Sequence, residues 1–567
     1  MIRFPTMAAL AAALLSGTAA TAQTPQPATT TAPVAVRDVT ITVDARKSLG
    51  ALPPAWRFFG ADEPNYATMK DGRKLLVELG DLKRGDVFFR AHNLLSSGDG
   101  TAAFKWGSTN AYTEGADGKP IYDWTIVDNI IDTYLARGVR PYLQIGFMPE
   151  ALSTAPKGTP YQHSWRPGFD YRLIATGWTY PPSSYDKWAE LIYQWTRHNV
   201  ERYGADEVNR WYFEVWNEPD SKFYWQASPE EFNKLHDFAI HAVRRALPTA
   251  KVGGPDVATA DGFMDGFMRH VTTGRNHATG EIGTPTDFLA FHAKGAPQFV
   301  DGHVRMGLSR HLRNVDNGFT KIAAFPALAT KPIVIGESDP EGCAACPGPQ
   351  NAYRNGTMYS SYTAASFARI WDLAAKRKVN IEGILSWSFE FEDQPWFAGY
   401  RQLSTNGVDL PVLNVFRMFA KLGPERIAAI SSAQVPLDAI VKDGVRGEAD
   451  IGALATRGPD GRIAVLLWHY HDDDVAGPVA QVKLAINGAK PGSAKLWRVD
   501  GDHANAFTAW QRMGSPQSPN EKQYAVLEAA SAMEGETVTA AASTRSGQSF
   551  TIALPRQGVA LLTLDGR

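Results

Sequence analysis

The sequence predicts an α/β fold, a (β/α)8 TIM barrel with an accessory C-terminal β-sandwich domain. From about residue 49 to 425, short apolar runs alternate with longer amphipathic stretches, which is the pattern of repeated βα units around a parallel sheet. From 426 to 567, short alternating runs separated by turn residues are typical of a β-sandwich. The length of 567 residues exceeds what one hydrophobic core usually serves, so two packed units are expected.

The predicted barrel requires eight strands, and the sequence offers eight short apolar runs. They lie around Phe58 and at 87–89, 141–145, 211–215, 252–254, 288–291, 333–335 and 384–387. Amphipathic segments separate them. In one of these, Ile126, Ile130 and Tyr134 recur at helical spacing before a terminating Gly138. Eight such units close into a barrel whose active site lies at the C-terminal ends of the strands.

The predicted sandwich is marked by the runs GRIAVLLWHY, QVKLAING, SFTIALP and GVALLTL. The early segment 36–48 contains DVTITVD, which alternates in the same way, and we expect it to add a strand to this domain. In WHYHDDD, His469 and His471 resemble a metal cluster, but their position after a strand favours a polar turn.

The N-terminal region has the pattern of an exported protein. Residues 1–22 carry Arg3, an apolar stretch from Met7 to Leu15 and a small-x-small sequence at 20–22, which together predict a signal peptide. Residues 23–35 hold little apolar surface and are expected to form a flexible lead-in. The sequence lacks the run of about 20 apolar residues that a transmembrane helix needs. We therefore predict a soluble protein of the periplasm or the extracellular medium.

The composition indicates a small neutral partner. Lys+Arg 57 against Asp+Glu 59 gives a net charge of -2, which provides no broad field for nucleic acid or an anionic membrane. The 16 Trp, 19 Tyr and 27 Phe offer faces on which sugars stack, so a saccharide fits. Cys343 and Cys346 are expected to form a local disulfide rather than a zinc site. The oligomeric state stays open.

Two glutamates directly after predicted barrel strands carry the strongest chemical signal. Glu218 follows the strand in FEVWNEPD, where the next residue, a proline, ends the strand, and Glu337 ends the strand in KPIVIGESDP. Facing each other across the barrel mouth, they would supply the proton donor and the nucleophile or base that glycosidic bond cleavage requires. Glu214, one pleat deeper than Glu218, is expected to pair with Arg90 inside the barrel.

Together with further motifs, WNEPD resembles the retaining barrel glycosidases and, among them, glycoside hydrolase family 39. That family holds bacterial β-xylosidases and α-L-iduronidases. The resemblance runs along nearly the whole mature chain, through FRAHN, YLQIGFMPEAL, VGGP, DFLAFHAKG and HANAFTAWQRMGSP. The WNEP motif by itself indicates only the wider clan.

The resemblance implies a role for each matching residue. Glu218 would be the general acid/base and Glu337 the nucleophile of a double displacement, with their carboxyl groups roughly 5–5.5 Å apart. Glu337 should be held ionised by donors, and Glu218 should stay protonated beside an apolar wall. No metal or organic cofactor is expected. The residues implied in sugar binding are His92, Asn217, His292, Lys294, Trp387, Glu392 and Asp393, with Asn217 on the 2-hydroxyl.

Lys294, in HAKG, departs from the β-xylosidase pattern. Many β-xylosidases of the family have an aromatic residue at this place, whereas the α-L-iduronidases use a lysine there toward a substrate carboxylate. A uronic acid substrate, or a contact between Lys294 and Glu337, therefore stays open. 

The function predicted from the sequence is a retaining exo-glycosidase that removes β-D-xylose from the ends of xylo-oligosaccharides. Within the same mechanism, α-L-arabinosidase or α-L-iduronidase activity is the nearest alternative. From a different class, a non-catalytic carbohydrate-binding protein is the other alternative.

Overall fold

The computed structural model describes residues 35–163, 174–346 and 348–566. Residues from Val36 onward belong to one compact unit. The predicted signal peptide at 1–22 and nearly all of the predicted lead-in at 23–35 lie outside the described residues.

Eight parallel strands form a closed barrel, as predicted. Hydrogen bonds from Gly60 N to Ser386 O and from Ser386 N to Phe58 O, both 3.1 Å, join the segment after the last strand to the first. Each of the eight apolar runs named from the sequence overlaps or abuts one strand. In chain order the barrel strands are β2 (Phe58–Ala61), β3 (Val87–Ala91), β6 (Val139–Ile145), β7 (Tyr212–Val215), β8 (Lys251–Val257), β9 (Phe288–Lys294), β12 (Pro332–Asp339) and β13 (Asn380–Ile384).

Helices follow these strands and cover the outside of the barrel. In the helix 229–246, Ser228 caps the first turn by accepting from Glu231 N, Pro229 occupies the first helical position, and two arginines lie in the last turn. The helices of the barrel are α1 (Lys70–Leu82), α2 (Thr125–Ala136), α3 (Tyr185–Tyr203), α4 (Ala205–Val208), α5 (Pro229–Ala246), α6 (Gly262–Thr273), α7 (Leu308–Ala323), α8 (Thr357–Arg377) and α9 (Pro411–Phe419).

Aromatic side chains fill the interior of the barrel below its mouth. Phe58, Phe88, Tyr142, Tyr212 and Phe288 point inward from neighbouring strands and pack as one buried cluster. Because side chains alternate along a strand, the next inward residues lie one layer closer to the mouth. The polar groups of the site therefore lie directly above a layer of buried aromatic side chains.

The predicted β-sandwich is present as a ladder of ten strands whose two halves share one apolar core. All neighbours pair antiparallel except the strands Val36–Ala51 and Val479–Asn487, which pair parallel. Val43, Leu467, Leu484 and Leu562 are among the buried residues of this core. The strands are β1 (Val36–Ala51), β16 (Glu425–Ser431), β17 (Asp450–Arg457), β18 (Ile463–Tyr470), β19 (Val479–Asn487), β20 (Ala494–Val499), β21 (Glu536–Val538), β22 (Ala542–Thr544), β23 (Gly547–Leu554) and β24 (Val559–Leu564).

Smaller elements decorate both domains. The short hairpin strands are β4 (Tyr112–Glu114), β5 (Pro120–Tyr122), β10 (Gln298–Val300), β11 (His303–Arg305), β14 (Ser404–Thr405) and β15 (Val408–Asp409). The remaining helices are α10 (Leu437–Asp443), α11 (Ala506–Arg512) and α12 (Glu521–Ser531). Among the described residues, none of the helices has both the length and the apolar character needed to cross a bilayer.

Candidate active site

Glu218 lies where β7 gives way to a strained turn. The strand ends at Val215, and Trp216 and Glu218 then adopt positive φ angles of 72° and 44°. This region costs a non-glycine residue on the order of 1–3 kcal/mol. The backbone N–H of Glu218 donates to the carbonyl of Asp256 at 3.0 Å, which fastens the turn to the next strand. The Glu218 side chain is 18% exposed and reaches the barrel mouth.

Glu337 faces the barrel interior because of a bulge in β12. The register between β12 and β9 shifts between Ile335 and Glu337, so that Glu337 pairs with His292. Gly336 lies at this shift, and a Cβ added to it would overlap Oδ1 of Asp256. A glycine is therefore required for the close approach that aims Glu337 at the site.

The carboxylates of Glu218 and Glu337 face each other, with His292 between them. An oxygen of each carboxylate and a ring nitrogen of His292 lie within 4.8 Å of one another. His292 Nδ1 is 2.8 Å from Glu218 Oε1 and 3.9 Å from Glu337 Oε2, and its Nε2 is 2.8 Å from Asp256 Oδ2. The imidazole of His292 is fully buried and held by Asp256, and its hydrogen bond to Glu218 therefore fixes the position of that carboxylate.

Lys294 lies against Glu337, the contact that the sequence left open. Its Nζ contacts Glu337 Oε2 and is 2.8 Å from Asp339 Oδ2. Burial by itself would raise the pKa of Glu337, but Lys294 and then His292 outweigh burial and hold that pKa well below its usual range. For His292, burial opposes a charge, yet Asp256 and then Glu337 raise its pKa to about 10. Near neutral pH the site thus holds the ionised carboxylate of Glu337 beside the protonated imidazole of His292.

Asn217 presents a buried amide donor. Its Oδ1 accepts from Arg90 Nη2 at 3.0 Å, and its Nδ2 has no hydrogen-bond partner among the described residues. Arg90 is fixed in turn by Asp256 and by Glu214, whose Oε1 is 2.7 Å from Arg90 Nε, which confirms the predicted buried pair. A buried N–H without a partner costs roughly 1–3 kcal/mol. This donor is therefore oriented for an acceptor that enters from outside, such as a sugar hydroxyl.

His92 and Trp387 form a wall beside Glu337. Their ring centroids are 4.4 Å apart, and the guanidinium of Arg90 lies 5.1 Å from the centre of the Trp387 ring. His92 Nδ1 is 2.8 Å from Asp62 Oδ1, and His92 Nε2 is 3.9 Å from Glu337 Oε1. Burial and then Arg90 lower the pKa of His92 to about 3, so the ring is neutral, with its proton on Nδ1 toward Asp62.

Glu392 and Asp393, also predicted to bind sugar hydroxyls, are not brought into this cluster. A Glu392 oxygen accepts from the backbone N–H groups of Asp71 at 3.0 Å and Gly72 at 3.2 Å, at the first turn of α1. Asp393 is exposed at a turn with φ 63°. The described partners of Glu392 are thus helix-terminal N–H groups, which stabilise a carboxylate. Sugar binding by these two residues stays a prediction.

Four buried charged residues of the cluster were missed by the sequence analysis: Asp62, Asp256, Asp339 and Arg401. The three aspartates lie within one residue of the ends of barrel strands, so the strand-end criterion that found Glu218 applies to them as well. Arg401 comes from the long segment after β13, and its Nη2 is 3.4 Å from Asp339 Oδ2. Its position in the sequence carries no signal.

The predicted disulfide joins Cys343 and Cys346. It closes a short loop whose backbone is held by the buried Arg354, which donates to the carbonyls of Ala344 at 3.1 Å and Cys346 at 3.0 Å. Ala344 lines a small cavity with Asp62, Trp387 and Arg401. The disulfide loop is therefore part of the wall of a cavity that shares Asp62 and Trp387 with the site.

His469 and His471 bind backbone groups. His469 Nδ1 is 3.0 Å from Leu554 O, and His471 lies 3.1 Å from Gly447 O through Nε2 while its Nδ1 accepts from Asp473 N. Their ring nitrogens fasten the end of β18 to neighbouring segments.

Comparison with known proteins gives a consistent result over most of the chain. The model of glycosyl hydrolases family 39 matches residues 39–548. A β-xylosidase of Geobacillus stearothermophilus is 27% identical over 503 residues, covering 84% of this chain and 86% of that protein. A β-xylosidase of Caldicellulosiruptor saccharolyticus is 27% identical over 542 residues, covering 93% and 98%. An α-L-iduronidase of Mus musculus is 28% identical over 375 residues, covering 60% of this chain and 55% of that protein.

Solved structures share the fold. A monomeric β-xylosidase from Caulobacter crescentus CB15 superposes with a TM-score of 0.70 at 22% identity, covering 93% of this chain and 99% of that one. A bacterial orthologue of human α-L-iduronidase superposes with a TM-score of 0.71 at 20% identity, covering 94% and 84%. The architecture of barrel and sandwich is thus common to both kinds of structure.

Proposed function

This chain belongs to glycosyl hydrolases family 39, and from that premise we propose that it is a retaining exo-glycosidase that removes terminal β-D-xylosyl units from xylo-oligosaccharides. Membership makes it a glycoside hydrolase, so its substrate is a saccharide. The choice of xylose rests on two relatives named as β-xylosidases, which align with 84% and 93% of this chain.

The separation of the two carboxylates carries the proposal of retention. Oxygens of Glu218 and Glu337 lie within 4.8 Å of one another. Retaining glycosidases keep their carboxyl groups about 5–5.5 Å apart, whereas inverting ones leave roughly 6.5–9.5 Å for a water molecule. The short gap favours direct attack by a carboxylate on the sugar.

In the proposed first step, a Glu337 oxygen forms a bond to the anomeric carbon while the bond to the leaving oxygen breaks. Glu218 gives its proton to that oxygen, so the alcohol departs neutral. In the second step Glu218 takes a proton from water, whose oxygen displaces Glu337 from the anomeric carbon. The contact with Lys294 suits the nucleophile, because it keeps the attacking carboxylate ionised.

The proton for the leaving group is held by the pair of Glu218 and His292. Their 2.8 Å hydrogen bond joins two groups that can exchange one proton, and Asp256 keeps His292 charged. In the resting pair His292 can pass this proton to Glu218 as the leaving oxygen is protonated, and the proton that Glu218 takes from water in the second step restores the pair. We infer that His292 is a positioning residue and proton reserve for the acid, without direct contact to the sugar.

The recessed position of both carboxylates favours a terminal sugar. The side chains of Glu337 and Glu218 keep 7% and 18% of their surface exposed. The amide of Asn217, whose Nδ2 has no hydrogen-bond partner among the described residues, is bonded to Arg90, and the Arg90 guanidinium lies over the ring of Trp387. A single ring that enters end-on can meet all of these groups, which supports exo action.

Product stereochemistry tests the mechanism without knowledge of the natural substrate. NMR of an aryl β-xyloside digest is expected to show β-xylose first, followed by mutarotation. Initial α-xylose would refute retention. Glu337→Ala is expected to abolish turnover and to regain part of it with azide, which would yield the glycosyl azide of inverted configuration.

Glu218→Ala tests the acid/base. We expect a small loss of the first step on substrates with acidic leaving groups, which need little protonation, and a large loss on poor leaving groups. Equal losses on both classes would rule out Glu218 as the acid.

A uronic acid substrate is the second candidate, and Lys294 favours it. Its Nζ lies between Glu337 and Asp339, and the Lys294 side chain is 12% exposed. A panel of aryl β-xyloside, α-L-arabinoside and α-L-iduronide separates the candidates. Fast release from the iduronide alone, lost in Lys294→Met, would replace β-xylosidase by α-L-iduronidase.

A non-catalytic carbohydrate-binding protein is the remaining alternative. Such a protein would bind xylo-oligosaccharides by calorimetry and release no aryl alcohol from any member of the panel. The paired carboxylates and the cation beside Glu337 argue against it, because binding alone requires neither.

We also propose that the protein is exported to the periplasm or the medium. The pattern of residues 1–22 and the disulfide between Cys343 and Cys346 both fit an oxidising compartment. Cell fractionation with an N-terminal sequence of the mature protein tests this. Retention of residues 1–22 in a cytoplasmic product would contradict it.

A further inference from the structure

A second cluster of ligand-type side chains lies outside the barrel, in its helical layer. Asp237 on α5, His270 on α6 and His277 in the following loop each offer one donor atom, and these atoms lie within 4.8 Å of one another. Glu230, at the start of α5, adds a carboxylate 3.0 Å from His277 Nε2. We propose that these four side chains bind one zinc ion.

Two of the donors are held in place. Asp237 Oδ2 is 2.9 Å from His270 Nε2 and accepts from the backbone N–H of His277 at 2.8 Å, while Oδ1 accepts from the Thr284 hydroxyl. The side chains of Asp237 and His270 are 0% and 9% exposed. A buried carboxylate aimed at an imidazole therefore forms the fixed half of the site.

The other two donors can adjust. The side chains of His277 and Glu230 are 29% and 70% exposed. The rings of His270 and His277 lie nearly parallel, with centroids 5.5 Å apart and 20° between their planes. Zinc with bonds of about 2.0–2.1 Å draws tetrahedral donors to roughly 3.4 Å from each other. Rotation of the His277 and Glu230 side chains supplies this closure.

The donor set selects zinc over the hard cations. Two imidazole nitrogens and two carboxylate oxygens suit a borderline metal in a tetrahedral site, whereas Ca²⁺ and Mg²⁺ prefer six or more oxygen ligands. The two carboxylates also balance the charge of the ion. Within the described residues, the ion-pair partners of Asp237 and Glu230 are the two histidines of the cluster.

The catalytic cluster has similar spacing but the wrong charges. Glu218, His292 and Glu337 also lie within 4.8 Å of one another. There, however, Lys294 contacts Glu337, and the guanidinium of Arg90 is 3.8 Å from it. Two cations beside a carboxylate repel a divalent ion. The outer cluster is therefore the better site.

The proposed zinc site is open to solvent, and one of its loops is connected to a barrel strand. Glu230 and His270 line a surface groove of about 530 Å³ between α5 and α6, through which an ion can enter. The loop that carries His277 leads into β9, the strand of His292 and Lys294. A bound zinc would tie α5, α6 and this loop together and so stabilise the outer support of the site.

Calorimetric titration of the EDTA-treated full-length protein with ZnCl₂ at neutral pH tests the proposal. We expect one zinc per chain, no heat with MgCl₂ or CaCl₂, and visible d–d absorption when Co²⁺ replaces zinc. His270→Ala and His277→Ala should each weaken zinc binding by on the order of 100-fold, as expected when a ligand is lost. His241→Ala, on the same helix α5 but outside the cluster, should bind as the wild type does.

A thermal shift provides an independent measurement. Zinc should raise the melting temperature of the wild type and of His241→Ala, and leave that of the two cluster variants unchanged. His277 is partly exposed, so its variant keeps the test valid if His270→Ala fails to fold. Absence of stoichiometric zinc binding would overturn the proposal. So would binding that survives in His277→Ala and disappears in Glu337→Gln, since that result assigns the ion to the catalytic cluster.

Discussion

Replacement of Asp256 by asparagine separates charge from geometry in the site. The Asp256 carboxylate is fully buried, accepts from Arg90 and His292 through Oδ2, and leaves Oδ1 without a hydrogen-bond partner among the described residues. An asparagine oxygen can take the place of Oδ2. Its amide then occupies the position of Oδ1, so the shape is kept and the negative charge is lost.

The size of the effect follows from the surroundings of His292. Asp256 and then Glu337 raise the pKa of His292 to about 10 against the effect of burial. One opposite charge in contact shifts a pKa by about 1–3 units. In Asp256→Asn the pair of Glu218 and His292 should therefore lose its proton about 1–3 pH units earlier, and the alkaline limb of kcat/KM should move down by that amount.

Stability should fall as well. Removal of one partner from a buried ion pair costs about 3–5 kcal/mol. We expect the lower end, because the asparagine oxygen still accepts hydrogen bonds from Arg90 and His292. Since the folded-state pKa of His292 lies above its ordinary value, its contribution is fully present below about pH 6.5 and is lost as pH rises through about 10. The loss in Asp256→Asn should thus be largest below about pH 6.5 and should shrink as pH rises toward about 10.

The assay is a profile of kcat/KM against pH on an aryl β-xyloside, with urea unfolding at two pH values. Asp450→Asn is the matched control, because Asp450 is also buried and bonds Arg369 Nη2 at 2.6 Å, but it lies at the contact of barrel and sandwich. The control should lose stability and keep the wild-type pH profile. An unshifted alkaline limb in folded Asp256→Asn would refute the proton-reserve role of His292.

Three further changes probe the rest of the site. Lys294→Met should move the acid limb of kcat/KM up by about 1–3 pH units, because Glu337 loses the positive charge that lowers its pKa most. An acid limb that does not move would show that Lys294 does not control the ionisation of the nucleophile. Gly336→Ala should lower kcat by on the order of 100-fold through displacement of Glu337, whereas Gly342→Ala, where an added Cβ meets nothing within 4 Å, should be silent; equal kinetics would contradict the bulge argument. Cys343→Ser with Cys346→Ser should cost about 2 kcal/mol in urea unfolding and raise KM, because Ala344 of this loop lines a cavity together with Trp387; an unchanged KM would confine the disulfide to a stabilising role.

The eight barrel strands could be predicted because each is a short apolar run bounded by polar turns. A strand that is buried on both faces appears in the sequence as a continuous apolar run, whichever strands it pairs with. Glu218 and Glu337 could be predicted for a related reason, since the C-terminal ends of all strands in a parallel barrel lie at the same mouth. Of the ten sandwich strands, β1, β18, β19, β23 and β24 correspond to runs named from the sequence. The parallel pairing of β1 with β19 could not be predicted, because a local pattern carries no information on the partner strand.

Apart from the Arg90–Glu214 pair, and the Lys294–Glu337 contact that was left open, the contacts of the site could not be predicted, since they depend on two bulges. The register of β8 against β9 shifts between Pro255 and Val257, and that of β12 against β9 shifts between Ile335 and Glu337. Each shift changes which residue faces inward, and only the packed neighbour decides where it falls. The same limit applies to Glu392, which the resemblance assigned to sugar binding, whereas the fold places its carboxylate at the first turn of α1.

Asp256 acts on Glu218 in two ways that the fold keeps separate. Its carbonyl accepts the Glu218 backbone N–H, and its carboxylate reaches the Glu218 side chain through His292. Trp216, Glu218 and Asp256 all adopt positive φ angles. The backbone of both segments is therefore strained, and the packing of the neighbouring strands maintains it. A change at the carboxylate therefore alters the charge that holds His292 protonated, without releasing the strained turn. For this reason Asp256→Asn, which keeps the backbone contact, reports on electrostatics, whereas Gly336→Ala reports on geometry.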